Sequence, residues 1–165
     1  MTSLAKQEII ASRSATLWLG LALWLCAPLA VAQNNLGEVL DAGGELLSPE
    51  QFKQELVQRV LVGPTPAGLQ LEIMYATNGM VQGGGAQPGS RLPSAAVNGE
   101  WKIDAGKICT TMTLTGPTFG VHGGGATGVM LPSRCQSWFK LGEKYFISDS
   151  DTDRRTKVLL RTVKQ

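Results

Sequence analysis

Downstream of residue 68 the chain keeps one rhythm, with apolar side chains at alternate positions and short breaks at glycine, asparagine or aspartate. Leu69, Leu71, Ile73 and Tyr75 fall on one face and Gln70, Glu72 and Met74 on the other, which is the period of a half-buried strand. Asn78-Gly79 comes next as a hairpin signal, since the tightest hairpin turns need positive φ at their centre. Val97, Trp101 and Ile103 mark a second strand, Asp104-Ala105-Gly106 turns the chain, and Ile108 to Leu114 returns with β-branched residues. Cys135 to Leu141 is the next strand, and the Gly142-Glu143 turn leads into Lys144 to Ser148. The acidic turn Asp149 to Asp153 precedes a last strand at Thr156 to Val163.

One segment has a clear helical period. Ser48-Pro49-Glu50-Gln51 combines an N-cap, a proline at the first helical position and Gln51 at the capping-box position. Phe52 and Leu56 recur at i and i+4, with Val57 and Val60 extending the stripe, so an amphipathic helix is predicted from Pro49 to Arg59. Gly63-Pro64 terminates the short apolar run beyond this helix. Residues 33–47 mix asparagine, glycine and acids with a few leucines and read as a flexible lead, with one helical turn at Leu36 to Leu40. One short helix followed by about six hairpin-linked strands predicts a mainly β domain over residues 48–165. Its antiparallel sheet curls into a small barrel or half-barrel. The absence of βαβ alternation argues against a nucleotide-binding α/β fold.

Two glycine-rich stretches, 79–94 and 116–133, interrupt the rhythm, each running from Gly-Gly-Gly-Ala to Leu-Pro-Ser. Glycine triplets lose much chain entropy inside strands, so both are predicted as loops. Their likeness is short and reads as shared composition. At one mouth of a barrel, Gly83, Gly84 and Gly85 and then His122, Gly123, Gly124 and Gly125 would form candidate binding loops.

The other long apolar run lies at the start of the chain. Lys6 and Arg13 precede Ala15 to Leu29, Pro28 breaks its end, and Ala30-Val31-Ala32 offers small residues before Gln33. This is the three-part layout of a secretory signal peptide, residues 1–32, cut after Ala32, so the working protein is periplasmic or secreted with no stable membrane span. Processing as a lipoprotein at Cys26 asks for a small residue before the cysteine, where Leu25 stands. Loss of Lys6, Glu8 and Arg13 lowers the net charge from +2 to +1, which gives no general attraction for nucleic acid.

Export also settles the cysteines. Cys26 leaves with the signal peptide, and Cys109 and Cys135 remain as one expected disulfide. A redox-active pair usually has C-x-x-C spacing, which this pair lacks. Closing a loop of about 27 residues is worth roughly 3.5 kcal/mol by chain entropy, a large share of a small domain's stability.

Candidates for chemistry are few. His122 is the single histidine, so no multi-histidine metal site can form, and it stands in a glycine-rich stretch as a solvated loop residue. Asp149-x-Asp151-x-Asp153 opens like a calcium loop, but Arg154 and Leu160 occupy the positions of the required glycine and bidentate glutamate. Its carboxylates are expected to be neutralised by Arg154 and Arg155. Neither glycine triplet continues as a phosphate-binding loop, and no G-x-S-x-G elbow occurs. Trp101, on an alternating strand, is expected in the core. Trp138 and Phe139 face opposite sides of their strand, so one of them is expected at the surface as a binding aromatic. No catalytic residue, metal or cofactor is predicted.

From Gly99-Glu100-Trp101-Lys102-Ile103-Asp104 through Cys109 to Cys135, the chain resembles small exported proteobacterial β-rich domains of unknown function. Their pattern is a short helix, a strand ending in a turn like Asn78-Gly79, a G-x-W-x-[IV] strand with a nearby cysteine, and a second cysteine opening the next strand. Leu47-Ser48, Phe52, Gly63, Tyr75, Gly79, Gly99, Trp101, Cys109 and Cys135 keep that order, over about Leu47 to Ile147. The long glycine-rich insertions and the wider cysteine spacing depart from it. The resemblance implies a secreted β-rich domain and supplies no active site. A weaker likeness is to periplasmic inhibitors of secreted metalloproteases, whose inhibitory mature N-terminus would correspond to Gln33 to Leu40. The sequence therefore predicts an exported, non-enzymatic module that binds a protein or envelope component, with protease inhibition as the alternative.

Overall fold

In the computed structural model, which describes residues 33–65, 68–86, 95–116 and 128–165, the alternating segments pair into one continuous antiparallel sheet. The expected signal peptide lies outside the described residues. In chain order the elements are α1 (Leu36–Asp41), β1 (Glu45–Leu46), α2 (Pro49–Leu56), β2 (Val60–Pro64), β3 (Gln70–Tyr75) and β4 (Met80–Ala86). They continue with β5 (Ala95–Asp104), β6 (Lys107–Thr115), β7 (Val129–Met130), β8 (Arg134–Leu141), β9 (Lys144–Ser148) and β10 (Val158–Val163). The turn signals are realised: Gly79, Ala105, Gly106 and Gly142 all take positive φ, which lets their flanking strands meet in tight hairpins.

Sheet order runs β1-β8-β9-β10-β2-β3-β4-β5-β6-β7, and an additional β6–β8 pairing closes eight of these strands into a barrel. The expected barrel is thus closed, with β1 and β7 as short extra strands. Closure rests on three register pairs: Ile108 with Gln136, Cys109 with Cys135, and Thr110 with Arg134. The Cys109–Cys135 disulfide forms at the middle pair and latches the seam.

Four expectations change. Residues 33–47 are folded: Leu36 and Val39 of α1 are fully buried, and β1 pairs with β8. Asn35 caps α1 by accepting from the Glu38 amide at 3.0 Å, and the Leu36 and Gly37 amides donate to the carbonyls of Thr156 and Arg154. Helix α2 ends at Leu56, three residues early, because Val57 bridges Tyr75 and Gln58 turns at φ 65°. The chain thereby enters β2, whose Val60 to Pro64 pair with β3.

The third change concerns the first glycine triplet. Gly83, Gly84 and Gly85 lie inside β4, paired with Ile73, Glu72 and Leu71 on one side and with Val97, Ala96 and Ala95 on the other. A Cβ at Gly83 would collide with the Glu72 carbonyl oxygen and stand 2.9 Å from Ile73 Cα. Gly63 and Gly99 are crowded in the same way by the backbones of Leu160 and Thr111. Sharp coiling of the closed sheet needs these close approaches, which outweigh the entropy cost of glycine. In the second predicted loop Val129–Met130 form β7, paired with Leu114 and Thr113 of β6.

Fourth, Trp138 and Phe139 are both buried, because the wall at β8 and β9 is covered on both faces. Trp138 joins the barrel interior with Leu61, Leu71, Ile73, Val81, Val97 and Ile108. Phe139 joins Phe146, Leu36 and Val39 in a second core beneath α1.

Candidate functional site

Helix α2 is the plug of the barrel. Its capping box is complete, with the Gln51 amide donating to Ser48 Oγ at 3.2 Å and the Ser48 amide to Gln51 Oε1 at 2.8 Å. Phe52 and Leu56, one helical turn apart, enter the interior from this helix. Phe52 meets the rings of Tyr75, Trp101 and Trp138 at centroid distances of 5.3, 5.6 and 5.1 Å, largely edge to face. Trp101 Nε1 donates to the Ala76 carbonyl at 2.8 Å, satisfying the indole and tying β5 to the β3–β4 hairpin. Trp101 is thus partly buried and packs against the core, and this end of the barrel is filled by aromatic side chains.

The polar face of α2 carries a second anchor. Glu55 Oε2 accepts from Lys140 Nζ at 2.6 Å and from the Tyr145 hydroxyl at 2.8 Å, joining the helix to β8 and β9. The hydrogen bond from Lys140, reinforced by Tyr145, holds the Glu55 carboxyl below its usual pKa against the opposing effect of desolvation. Burial, then the bond to Glu55, pushes the Tyr145 phenol up to about 12. Both shifts strengthen an anionic acceptor and a neutral donor, so the trio is a fixed tether. Next to it a groove of about 640 Å³ is lined by Arg59, Lys140, Lys144, Tyr145 and Lys164 among others. Its cations are partly answered in place, Lys140 by Glu55 and Lys164 by Glu72.

Arg161 is different. On β10 it alternates with Leu159 and Val163, which pack on the barrel interior, and it is only 4% exposed. Gly63 makes the room: a Cβ there would stand 2.7 Å from Arg161 Nη1. Nη1 donates to the carbonyls of Pro64 at 2.9 Å and Leu160 at 2.7 Å, while Nε is buried with no hydrogen-bond partner. Burial lowers the guanidinium's pKa and pushes that of the Tyr75 phenol upward, so the phenol is neutral and supplies no counter-charge. Pattern reading passed over Arg161, although a charged residue at an inward position of an apolar alternation is the signal that could have found it.

Of the predicted site residues, the structure joins Cys109 to Cys135. Gly83, Gly84 and Gly85 are strand residues, while His122, Gly123, Gly124 and Gly125 lie outside the described residues. The acidic turn is neutralised from elsewhere than expected. Arg134 pairs with Asp149 at 3.5 Å, Gln136 donates to Asp149 at 2.8 Å and Lys107 meets Asp151 at 3.9 Å. Arg154 instead pairs with Asp41, which docks α1, and Arg155 uses its backbone amide on Asp153. Among the described residues no three histidine, cysteine or acidic groups cluster as metal ligands.

On the outside, β7 presents Met130, 73% exposed, and Val129, 42% exposed. An edge strand carrying exposed apolar side chains offers both unpaired backbone groups and apolar surface to another chain. No helix among the described residues is long and apolar enough to cross a membrane. Compared with known proteins, the chain matches no family model, no curated protein and no solved structure.

Proposed function

We propose that the protein is an exported, non-enzymatic binding module whose partner is a protein or envelope component, met on the outer surface of the barrel at the β7 edge. One observation carries the reading: Phe52, Tyr75, Trp101 and Trp138 fill the plugged end of the interior, while Val129 and Met130 stand exposed on a terminal strand. Strand addition at such an edge supplies backbone hydrogen bonds, and the exposed side chains add apolar contact. The disulfide is compatible with an oxidising, extracytoplasmic compartment and supports the export reading. The alternative of an inhibitory N-terminal arm loses its free arm, since Leu36 and Val39 are buried in α1.

Site-specific photo-crosslinking in the exporting cell tests the proposal. A crosslinker at Met130 is expected to give a discrete adduct that the same group at Glu50, on the exposed face of α2, does not give. In a chain with the crosslinker at Leu131, Met130→Lys is expected to abolish that adduct. Identical adduct patterns at 130 and 50, or none at 130, overturn the reading.

A further inference from the structure

We infer that the groove beside the Glu55 tether is a phosphate-binding site, with Arg59 and Lys144 as its recognition groups. This goes beyond the surface-binding proposal and does not depend on it. The groove has room for a ligand: its volume is about 640 Å³, and it runs on into a hollow of about 390 Å³ that shares Arg59, Val163 and Lys164 with it. Four cations line it, Arg59, Lys140, Lys144 and Lys164, against one acidic side chain, Glu143. Every aspartate and glutamate after residue 32 lies among the described residues, and the ion pairs they form leave two of these cations out. Glu55 takes Lys140 and Glu72 takes Lys164, whereas Arg59 and Lys144 pair with no carboxylate and Glu143 pairs with none of the four. Both unpaired cations are exposed and so within reach of a ligand. The fold holds them there. Gln58, at φ 65° and with its amide on the Tyr75 carbonyl at 2.7 Å, turns the chain so that Arg59 enters the groove. Backbone strain of this kind gathers at binding sites. The Gly142 turn sets Lys144 opposite Leu141 on one side and Thr162 on the other. Two unpaired cations match the nearly double negative charge of a phosphate group near neutral pH, where a carboxylate would answer only one. Arginine's planar fork suits phosphate oxygens and lysine adds a point charge. Glu143 weakens the field without occupying either donor.

The test is an NMR titration of the disulfide-bonded mature protein with sodium phosphate and with sodium acetate at constant ionic strength. Saturable shifts at Arg59, Lys144 and Tyr145 are expected with phosphate, and weaker binding with acetate. Arg59→Met is expected to weaken phosphate binding about tenfold, the loss of one charge-assisted pair. Glu143→Gln, at an exposed turn, is expected to tighten it and reads the same site without touching either donor. Lys53→Met removes an exposed cation of α2 that does not line the groove, and is expected to change little. The source of the phosphate is read from vesicles. Retention on phosphatidylglycerol, absent on phosphatidylcholine and lost in Arg59→Met, assigns it to a lipid headgroup; phosphate binding without that retention assigns it to a soluble ligand. Acetate bound as tightly as phosphate, equal losses in Arg59→Met and Lys53→Met, or no saturable shift at the groove overturns the inference.

Discussion

Gly83 and Gly84 are neighbours of the same type, yet they carry different constraints. A side chain at Gly83 runs into the backbone of β3, whereas a Cβ at Gly84 meets only the Ala95 carbonyl, at 3.2 Å. Gly83→Ala is therefore expected to cost roughly 1–3 kcal/mol through strain in a packed sheet, and Gly84→Ala clearly less, as read from denaturant midpoints. Ser48→Ala removes half of a capping box and is expected to cost about 1 kcal/mol in the same assay. The Glu55 tether makes stability depend on pH at both ends. The Glu55 pKa is depressed in the folded state, first by its hydrogen bond from Lys140, so its contribution is present above the unfolded carboxylate range and lost as pH falls. The Tyr145 pKa is raised, first by burial, to about 12. Its contribution is present below the ordinary tyrosine value near 10 and is lost as pH climbs towards 12. Glu55→Gln should flatten the acid arm of a stability-versus-pH curve and Tyr145→Phe the alkaline arm; unchanged arms would show that the tether contributes nothing.

At the level of elements, the β6–β8 seam is a short contact and the one reinforced by a covalent bond. Only three register pairs join β6 to β8, with the disulfide in the middle, whereas β5 and β6 share nine pairs. Replacing both cysteines by serine should cost roughly 3.5 kcal/mol by loop entropy. Hydrogen exchange should then accelerate first at Ile108 to Thr110 and Gln136, ahead of the β5–β6 hairpin. Uniform acceleration across the sheet would contradict a latch at the seam. The elements that pattern reading recovered are those whose signals are local: the period-2 runs of β3, β5 and β6, the left-handed turns, and the Ser48 capping box. Helix α1 escaped it as a buried element because its apolar stripe is only Leu36, Val39 and Leu40, too short to outweigh the surrounding asparagine, glycine and acids. The end of α2 was misplaced because Val57 and Val60 fit a helical stripe as well as a strand, and pairing with Tyr75 and Met74 decided between them.

At the scale of the whole molecule, the proposed export fixes what the mature chain would contain. The exported chain should begin at Gln33 and carry no free thiol, which N-terminal sequencing and alkylation before and after reduction will check; retention of residues 1–32 would count against cleavage. The candidate site was far less legible than the fold. Sequence reading placed it in glycine-rich loops, and the Gly83–Gly85 triplet of the first lies within strand β4. It missed Arg161, and it missed the trio of Glu55, Lys140 and Tyr145, whose members stand 85 and 90 positions from Glu55 and meet only in the folded chain. By itself the sequence determined the β class, the single expected cysteine pair, the hairpin turns and the helix start, because alternation, turn chemistry and capping act over a few residues. Tertiary structure alone decided that the barrel closes, that a helix plugs it, and that a glycine triplet bends within a strand. It also decided that one buried arginine stands without a counter-charge. These outcomes depend on which distant backbones approach one another and on what remains unpaired once they do.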